Sequence, residues 1–453
     1  MASTPAKGTY CVVSLGCPKN LIDSECMLGH LDREGYRLVP EPQGADFVVI
    51  NTCGFLEVAR QESLAVIDEM LALKRQGRLG GVIVAGCLAE RAGQRLLADR
   101  PEIDQLLGVF ARQEIAAAAG RVMTGDGSEK ALLLPKAAAS TGDGGRLRLT
   151  PKHVAYLRIA EGCDRHCSFC TIPQIRGRYV SKPEEVVVAE AERLAAEGAR
   201  ELILVAQDLT WYGMDVGARP RLAHLLRRLT RVDRIDWIRL MYLYPMHVTD
   251  ELIDLLAAGG KVLPYVDLPL QHISDRVLQR MNRPVRRRQI EALVERLRER
   301  IPGLVLRTTM IVGFPGETEA EFGELIEFVR RWRFERLGVF TYSREEGTRA
   351  AEWEDQIPEE VKEDRRHRLM VEQQEIAFAW NASQVGRTRQ VLIDRCVSAR
   401  QHAYAGRTCA DAPDIDGVVY VTGGGLAPGD LVDCQIVATH DYDLVAVATG
   451  TPC

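Results

Sequence analysis

The chain lacks the marks of a membrane or secreted protein. It has no run of eighteen apolar residues, the length that a membrane-spanning helix needs. Its first residues, MASTPAKGTYCVVSLG, lack the basic start and apolar core of a secretory signal. The net charge of −5 gives no general attraction to nucleic acid or to an anionic membrane. We therefore expect a cytoplasmic protein that does not associate with membranes.

Cysteine, by contrast, is plentiful, with twelve among the 453 residues. In a reducing compartment cysteines rarely form disulfides and more often serve as metal ligands or as small buried residues. Six of the cysteines form two groups of three, which are set apart by their positions relative to the predicted strands. The other six show no ligand spacing and are interpreted as structural or incidental: Cys11, Cys26, Cys396, Cys409, Cys434 and Cys453.

The first region, residues 1–120, reads as an open parallel α/β domain. Short β-branched runs predict buried strands, each followed by a helical stretch. The strands are expected at 10–15, 46–51 and 81–86, and the helices at about 21–34, 56–75 and 90–99. A cysteine follows each strand, namely Cys17, Cys53 and Cys87. Because the carboxyl ends of parallel strands line one edge of a sheet, we expect these three thiols, the strand-end triplet, to converge.

Residues 121–150 are rich in Gly, Ala, Ser and Thr and are predicted to be a linker. Residues 151–383 then repeat strand–helix units, which predicts a partial (β/α)6 barrel of the TIM type. Its strands are expected at 153–159, 201–206, 237–243, 262–268, 304–311 and 336–341, and helices include 184–197 and 358–382. Residues 384–453 show short β-like runs between turn residues and predict a small antiparallel β-barrel.

The stretch EGCDRHCSFCTIP places Cys163, Cys167 and Cys170, the loop triplet, just after the first strand of the predicted barrel. Soft thiolate groups select zinc or iron–sulfur clusters. A structural zinc ion would need a fourth ligand, such as His166, His153 or a distant cysteine. Three thiolates also fit a 4Fe–4S cluster in which one iron keeps an open position for a ligand. Buried thiols without a metal are the remaining alternative.

The spacing C-x3-C-x-aromatic-C, with Phe169 as the aromatic residue, resembles the signature of the radical S-adenosylmethionine (SAM) superfamily. This resemblance implies that SAM binds the open iron and is cleaved to a deoxyadenosyl radical. It also implies that Phe169 contacts SAM. Gln207 and Gly313 lie at the ends of the second and fifth predicted strands, where SAM or substrate contacts are expected, although a plain turn explains either residue as well.

With the strand-end triplet added, the whole chain resembles the methylthiotransferase family, whose members carry a cluster-bearing N-terminal domain, a radical SAM barrel and a C-terminal TRAM domain. The resemblance implies two 4Fe–4S clusters and SAM, with the second cluster carrying the sulfur. It also implies an electron donor such as flavodoxin or ferredoxin. A zinc-stabilised RNA-binding protein without catalysis is the alternative from another class.

One branch of that family modifies adenosine in tRNA, and the other modifies the β-carbon of an aspartate in small-subunit ribosomal protein number twelve, at the decoding centre. The stretches SLGCPKNLIDSE, NTCGFLEVARQES, RGRYVSKP, QDLTWYG and DLPLQHIS resemble the protein-modifying branch. We therefore predict a ribosomal protein methylthiotransferase, with a tRNA adenosine methylthiotransferase as the alternative.

Charge gives a second hint about the substrate. Residues 384–453 contain five Arg and no Lys against eight Asp and no Glu, a deficit of three positive charges. An acidic module suits a basic protein partner better than a phosphate backbone, although net charge does not reveal local patches. The arginines of NRPVRRRQ (282–289) suggest a contact with ribosomal RNA, or simply a solvated face. His272 in the PLQHIS stretch is a candidate substrate contact or a structural histidine.

Overall fold

The computed structural model describes residues 6–125, 132–134 and 142–450. The described residues form two compact units. The first draws on Met1–Leu149, Arg158–Glu190 and Ser343–Ala351, and the second on Thr150–Leu157, Ala191–Tyr342 and Glu352–Cys453. Among the helices of the described residues, none combines the length and apolar content that crossing a membrane requires.

The first unit is built on a parallel sheet with the strand order β2-β1-β3-β4-β5-β6. Its strands are β1 (Gly8–Ser14), β2 (Tyr36–Leu38), β3 (Phe47–Thr52), β4 (Val82–Gly86), β5 (Gln105–Leu107) and β6 (Leu132–Leu133). Its helices are α1 (Pro18–Arg33), α2 (Glu57–Arg75), α3 (Cys87–Asp99) and α4 (Ile115–Thr124). Alternate residues of β3 enter the cores on the two faces, with Val48 and Ile50 on one side and Phe47 and Val49 on the other. Burial on both faces explains why this strand is apolar throughout.

The three predicted strands of this sheet are present, and three more short strands extend it. The additional strands β2, β5 and β6 are only two or three residues long, too short for an alternating or continuous apolar pattern to mark them. The segment predicted as a linker contains the end of α4, strand β6 and the buried side chains of Asp143 and Arg146. The bounds of the four predicted regions stay predictions.

Between residues 154 and 382 the chain alternates strands and helices. The strands are β7 (Val154–Arg158), β8 (Ala160–Glu161), β9 (Val180–Ser181), β10 (Glu201–Val205), β11 (Trp237–Leu240), β12 (Val262–Asp267), β13 (Val305–Val312) and β14 (Arg336–Thr341). The helices are α5 (Ile172–Arg176), α6 (Glu184–Ala196), α7 (Met214–Gly217), α8 (Leu222–Leu229), α9 (Asp250–Ala257), α10 (Asp275–Arg280), α11 (Arg287–Arg300), α12 (Glu319–Trp332) and α13 (Glu359–Ala382).

Six of these strands form a second sheet in the sequential order β14-β13-β12-β11-β10-β7. The pairs from β10 to β14 are all parallel, as successive strand–helix units require. Thr318 and Thr249 are the N-cap residues of α12 and α9, and their hydroxyls accept hydrogen bonds from backbone N–H groups of the first turn. This sheet confirms the predicted succession of six βα units.

The last region is a closed barrel with the order β15-β16-β17-β19-β18. Its strands are β15 (Thr388–Ser398), β16 (Ala403–Arg407), β17 (Val419–Thr422), β18 (Leu431–His440) and β19 (Asp443–Ala448). The prediction of a small β-barrel is confirmed with one correction, because β17 and β19 pair in parallel and the barrel is not wholly antiparallel. In the chain β18 lies between β17 and β19, but in the sheet it lies on the far side of β19. The strands β17 and β19 therefore become neighbours that run in the same direction, and their pairing closes the barrel.

Candidate functional site

The strand-end triplet occupies the carboxyl edge of the first sheet, on the neighbouring strands β1, β3 and β4. Cys17 is the N-cap residue of α1 and is followed by Pro18 at the first helical position. Cys53 comes directly after β3, and Cys87 is the first residue of α3, directly after β4. The strand ends are level, since Ser14 pairs with Asn51 and Thr52 pairs with Gly86.

Close backbone packing brings the three cysteines together, as their positions after parallel strands predict. A Cβ atom on Gly16 would lie 2.9 Å from Cys53 Cβ and 3.2 Å from Cys53 Sγ. A Cβ atom on Gly54 would lie 2.6 Å from the Cys87 carbonyl oxygen. The Ser63 hydroxyl, on α2, accepts a hydrogen bond from Cys53 N–H at 3.1 Å and donates to the Cys53 carbonyl oxygen at 3.1 Å. Glycine is therefore needed at two positions where the loops touch.

The three thiols differ in how readily they lose a proton. Burial raises the pKa of the Cys87 thiol to about 12, against the opposing charge of Arg176. Burial likewise raises the pKa of Cys53. At Cys17, burial also acts to raise the pKa, but the charges of Lys19 and Arg176 and nearby backbone N–H groups outweigh it, and the pKa is lowered. The surroundings of Cys17 therefore favour the thiolate, which is the form that metal ligation requires.

The loop triplet lies in a loop closed by the antiparallel pair β8–β9, in which Ala160 pairs with Ser181 and Glu161 with Val180. Cys163 N–H donates to the Gly177 carbonyl oxygen at 3.1 Å, which joins the start of the loop to its return. Cys170 N–H donates to the Cys167 carbonyl oxygen at 3.2 Å. Arg165 N–H points to Cys163 Sγ at 3.4 Å. One local loop therefore carries all three thiols, and it belongs to the same unit as the strand-end triplet.

A buried network of charged side chains supports both triplets within this unit. Its cations are Arg112, Arg158, Arg176 and Lys182, and its anions are Asp23, Asp143, Glu161 and Glu190. The contacts are short, for example 2.6 Å from Lys182 Nζ to Asp143 Oδ2 and 2.7 Å from Arg158 Nη1 to Asp23 Oδ1. Buried charges persist only when they are paired and hydrogen-bonded in this way, so each member constrains its neighbours.

The donor sets have the composition of iron–sulfur ligands. Each triplet supplies three cysteine sulfurs, the soft donors that iron–sulfur clusters take, and three thiolates leave one iron of a 4Fe–4S cluster open. A structural zinc ion would need a fourth protein ligand at either triplet. Among the described residues, no group of three or more His, Cys, Asp or Glu side chains is placed to hold a metal ion.

The remaining candidate residues lie in different surroundings. Phe169 is half-buried in the loop of the loop triplet. Gln207 follows β10 and Gly313 follows β13, both in the second unit. A Cβ atom on Gly313, at φ +69°, would lie 2.3 Å from the Cγ of Lys362 on α13, so packing alone accounts for this glycine. Contacts of these residues with SAM stay predictions.

His272 has the environment of a structural histidine. It is fully buried, and its Nδ1 accepts a hydrogen bond from Ser274 N–H at 3.0 Å. Its Nε2 lies 3.6 Å from Glu317 Oε1, which is also fully buried. These contacts favour the structural interpretation over the substrate contact.

Several of the aspartates of residues 384–453 are paired with other side chains of the protein. Asp411 is paired with Arg336 at 2.6 Å, Asp394 with Arg407 at 2.8 Å, and Asp416 accepts the Tyr265 hydroxyl at 2.7 Å. Setting aside these three aspartates and the buried Arg407 leaves four arginines against five aspartates. Much of the negative surplus counted in the sequence is therefore paired with other side chains, and the preference for a basic protein partner stays a prediction.

Sequence analysis also missed the buried charge network. Arg176 lies in the quoted RGRYVSKP stretch, but its partners Asn20, Asp23 and Cys87 come from distant parts of the chain. The signal that the sequence offers is the group of charged residues in the segment that follows the loop triplet. Only the fold shows which acids these cations meet.

Comparison with family models divides the chain into three matches. Residues 157–329 match the radical SAM superfamily, residues 9–108 match uncharacterized protein family UPF0004, and residues 385–449 match the TRAM domain. Together with the six-stranded parallel sheet and the cysteine loop, these matches place the chain in the class of radical SAM proteins.

Curated relatives narrow the class to one family. The ribosomal protein uS12 methylthiotransferase RimO of Anaeromyxobacter sp. (strain K) is 48% identical over 95% of this chain and 91% of that protein. The protein of the same name from Trichlorobacter lovleyi is 46% identical over 98% of this chain and 99% of that protein. The one from Myxococcus xanthus is 44% identical over 100% of this chain and 94% of that protein. The chain belongs to the RimO family of uS12 methylthiotransferases.

Solved structures agree with the fold. The radical SAM methyltransferase TsrM of Kitasatospora setae, with cobalamin and a [4Fe-4S] cluster bound, has a TM-score of 0.53 and 16% identity, over 74% of this chain and 72% of that chain. The cobalamin-dependent SAM radical enzyme OxsB has a TM-score of 0.50 and 11% identity, over 76% of this chain and 54% of that chain. At such identities the likeness concerns the fold alone.

Proposed function

We propose that this chain is a radical SAM methylthiotransferase that adds a methylthio group to the β-carbon of an aspartate in ribosomal protein uS12. The observation that carries this proposal is the similarity of 44–48% over nearly the whole chain to proteins named for that activity. The relatives reported above are named for uS12 and not for tRNA, so the tRNA alternative is not favoured.

In this proposal the two cysteine triplets hold two 4Fe–4S clusters. The loop triplet would bind the cluster that meets SAM, and the strand-end triplet would bind the cluster that carries sulfur. When bound, these groups would supply the radical that removes a hydrogen atom from the aspartate and the sulfur that replaces it. The chain's contribution is to hold six thiols in two rigid settings, one on a sheet edge and one in a closed loop.

The support for a cluster at the strand-end triplet is chemical as well as geometric. The three thiols interact electrostatically with one another, and the guanidinium of Arg176 acts on each of them to lower its pKa. A positive group beside thiols favours the thiolate form that ligation needs. In the other triplet, Gly162 at φ +80° lets the backbone pass within contact of Arg178, which keeps the loop compact.

Mass spectrometry of ribosomal proteins and tRNA tests the substrate. Cells that carry the gene should show uS12 heavier by one methylthio group on a single aspartate, and cells without it should show the unmodified mass. Complementation with the Cys17→Ala, Cys53→Ala, Cys87→Ala triple variant is the matched control and should leave uS12 unmodified. A methylthioadenosine in tRNA that depends on the gene, with unchanged uS12, would overturn the proposal.

We propose a cytoplasmic site of action, and flavodoxin or ferredoxin as electron donor. A contact with ribosomal RNA is supported by Arg286 and Arg288, which are exposed on or beside α11. Arg283 does not add to that surface, since it is buried over the Tyr244 ring, and Arg287 is paired with Glu291 and Glu324.

A further inference from the structure

Arg176 is the one member of the buried charge network that also donates to a cysteine of the strand-end triplet in the described residues. It is the last residue of α5 and is 1% exposed. Its Nη2 donates to Cys87 Sγ at 3.3 Å and to Asp23 Oδ2 at 3.0 Å. Its Nη1 donates to both carboxylate oxygens of Glu161 at 3.1 Å. Hydrogen bonds to Asp23 and Glu161 therefore hold the guanidinium in place beside the Cys87 sulfur.

Arg158 shares both of these carboxylates with Arg176. Arg158 Nη1 donates to Asp23 Oδ1 at 2.7 Å and to Glu161 Oε2 at 2.6 Å. Arg158 is also 1% exposed, and none of the hydrogen bonds of the described residues joins it to a sulfur. The chain therefore contains two arginines that are equally buried and share Asp23 and Glu161 as acidic partners. Arg158 also donates to Asp143, whereas Arg176 reaches the cysteine triplet.

A cation at hydrogen-bond distance from a cluster sulfur has a defined physical effect. Reduction adds negative charge to an iron–sulfur cluster, and hydrogen bonds to its sulfurs and nearby positive charge stabilise that reduced form. The effect is strong in a buried setting, where solvent screens charges poorly. Arg176 is also the only network cation whose helix starts directly after the loop triplet, with α5 beginning two positions beyond Cys170 in the described chain.

We propose that Arg176 is a positioning residue for the strand-end cluster: it orients the Cys87 thiolate and raises the reduction potential of the cluster bound there. This inference rests on the proposed function, in which Cys17, Cys53 and Cys87 hold a 4Fe–4S cluster. By this proposal α5, a helix of five residues, connects the segment that carries the loop triplet to the thiols of the strand-end triplet.

Potentiometric titration followed by electron paramagnetic resonance tests the inference in the full-length, reconstituted protein. The variants are Arg176→Gln and Arg176→Lys, with Arg158→Gln and Arg158→Lys as matched controls. The loop cluster, recognised because its signal changes when SAM is added, is an internal reference. We expect Arg176→Gln to shift the strand-end cluster to a more negative potential, and by more than Arg158→Gln does, although both remove one buried charge.

Arg176→Lys keeps the charge and the approximate length, so it keeps the test open if the glutamine variant does not fold. A lysine cannot hold both carboxylates and the sulfur at once, and we expect a smaller negative shift that Arg158→Lys does not show. Equal shifts in the two arginine positions, or no shift at Arg176, would overturn the inference. Wild-type protein that binds only four irons would instead refute the proposed second cluster, so the two failures are distinguishable.

Discussion

Each cysteine triplet brings three thiols into one region, but the two triplets are built in different ways. Cys17, Cys53 and Cys87 are far apart in the chain and meet because parallel strands end side by side. Cys163, Cys167 and Cys170 occupy one loop, closed by the β8–β9 pair. The first depends on the register of a sheet, whereas the second depends on a few local hydrogen bonds. A site of the first kind should fail when the sheet edge is disturbed, and one of the second kind only when its own loop is.

The largest expected effect separates the chemical roles of the triplets. Replacing Cys163, Cys167 and Cys170 together by Ala should abolish reductive cleavage of SAM, because the cluster that binds SAM loses all its protein ligands. Replacing Cys17, Cys53 and Cys87 should leave cleavage to deoxyadenosine intact and stop methylthiolation. Chromatography of deoxyadenosine and mass spectrometry of uS12 measure the two activities. Loss of cleavage in the second variant, with the loop cluster still loaded, would remove this division of labour.

Iron content should divide evenly between the triplets. Anaerobically reconstituted protein should bind about eight irons, as two clusters of four. Cys163→Ala should retain about four, since a two-thiolate site holds its cluster poorly while the sheet edge is untouched. Cys434→Ala, at a buried cysteine of the β-barrel, is the control and should retain all of them. Saturation of the wild type at four irons would show that the strand-end triplet is not a cluster site.

Substitution of two glycines by alanine should disrupt the two triplets separately. A Cβ atom on Gly86, at φ +93°, would lie 2.2 Å from Asn51 Oδ1, and one on Gly162, at φ +80°, would lie 2.0 Å from the Arg178 carbonyl oxygen. Each change to Ala should destabilise the first unit, which contains both glycines, by about 3 kcal/mol through backbone strain and overlap. Gly86→Ala should lose mainly the strand-end irons and Gly162→Ala mainly the loop irons.

Gly44→Ala is the control for this pair, because Gly44 has φ +84° but no neighbour within 4 Å of the added Cβ. It should cost only about 1 kcal/mol, from the left-handed backbone alone, and no iron. Urea unfolding and iron analysis measure the three variants. If either Gly86→Ala or Gly162→Ala releases all the irons, the buried charge network joins the triplets into one cooperative site.

The same contrast explains what sequence can predict. The loop triplet is evident from spacing alone, since its three cysteines lie within eight positions. The convergence of the strand-end triplet requires a topological step, which can be made because β1, β3 and β4 contain β-branched runs that mark them as strands. The short strands β2, β5 and β6 were missed for lack of pattern.

Charges were the least predictable feature. Asp411 and Asp414 are three positions apart, yet Asp411 is 1% exposed and paired with Arg336, whereas Asp414 is exposed. Arg158 lies in the predicted strand 153–159 and Arg176 in the RGRYVSKP stretch, and the burial of both depends on acids such as Asp23 that a distant segment supplies. Sequence gives the sign of a charge, and only tertiary packing decides whether it faces solvent or another charge.

The smallest expected effect concerns a single hydroxyl at the sheet edge. Ser63 Oγ is the partner of both Cys53 N–H and the Cys53 carbonyl oxygen and is fully buried. Ser63→Ala leaves this buried amide without that acceptor, which should cost about 1–2 kcal/mol. Because the three strands still align, the strand-end cluster should assemble but release its iron to a chelator faster than wild type. Ser383→Ala, which removes an exposed hydroxyl bond to the Trp380 carbonyl oxygen, should change stability by no more than about 0.5 kcal/mol and leave iron release unchanged. Equal release rates for Ser63→Ala and wild type would mean that the sheet register alone fixes Cys53, and the strand-end site would then be more rigid than its hydrogen bonds imply.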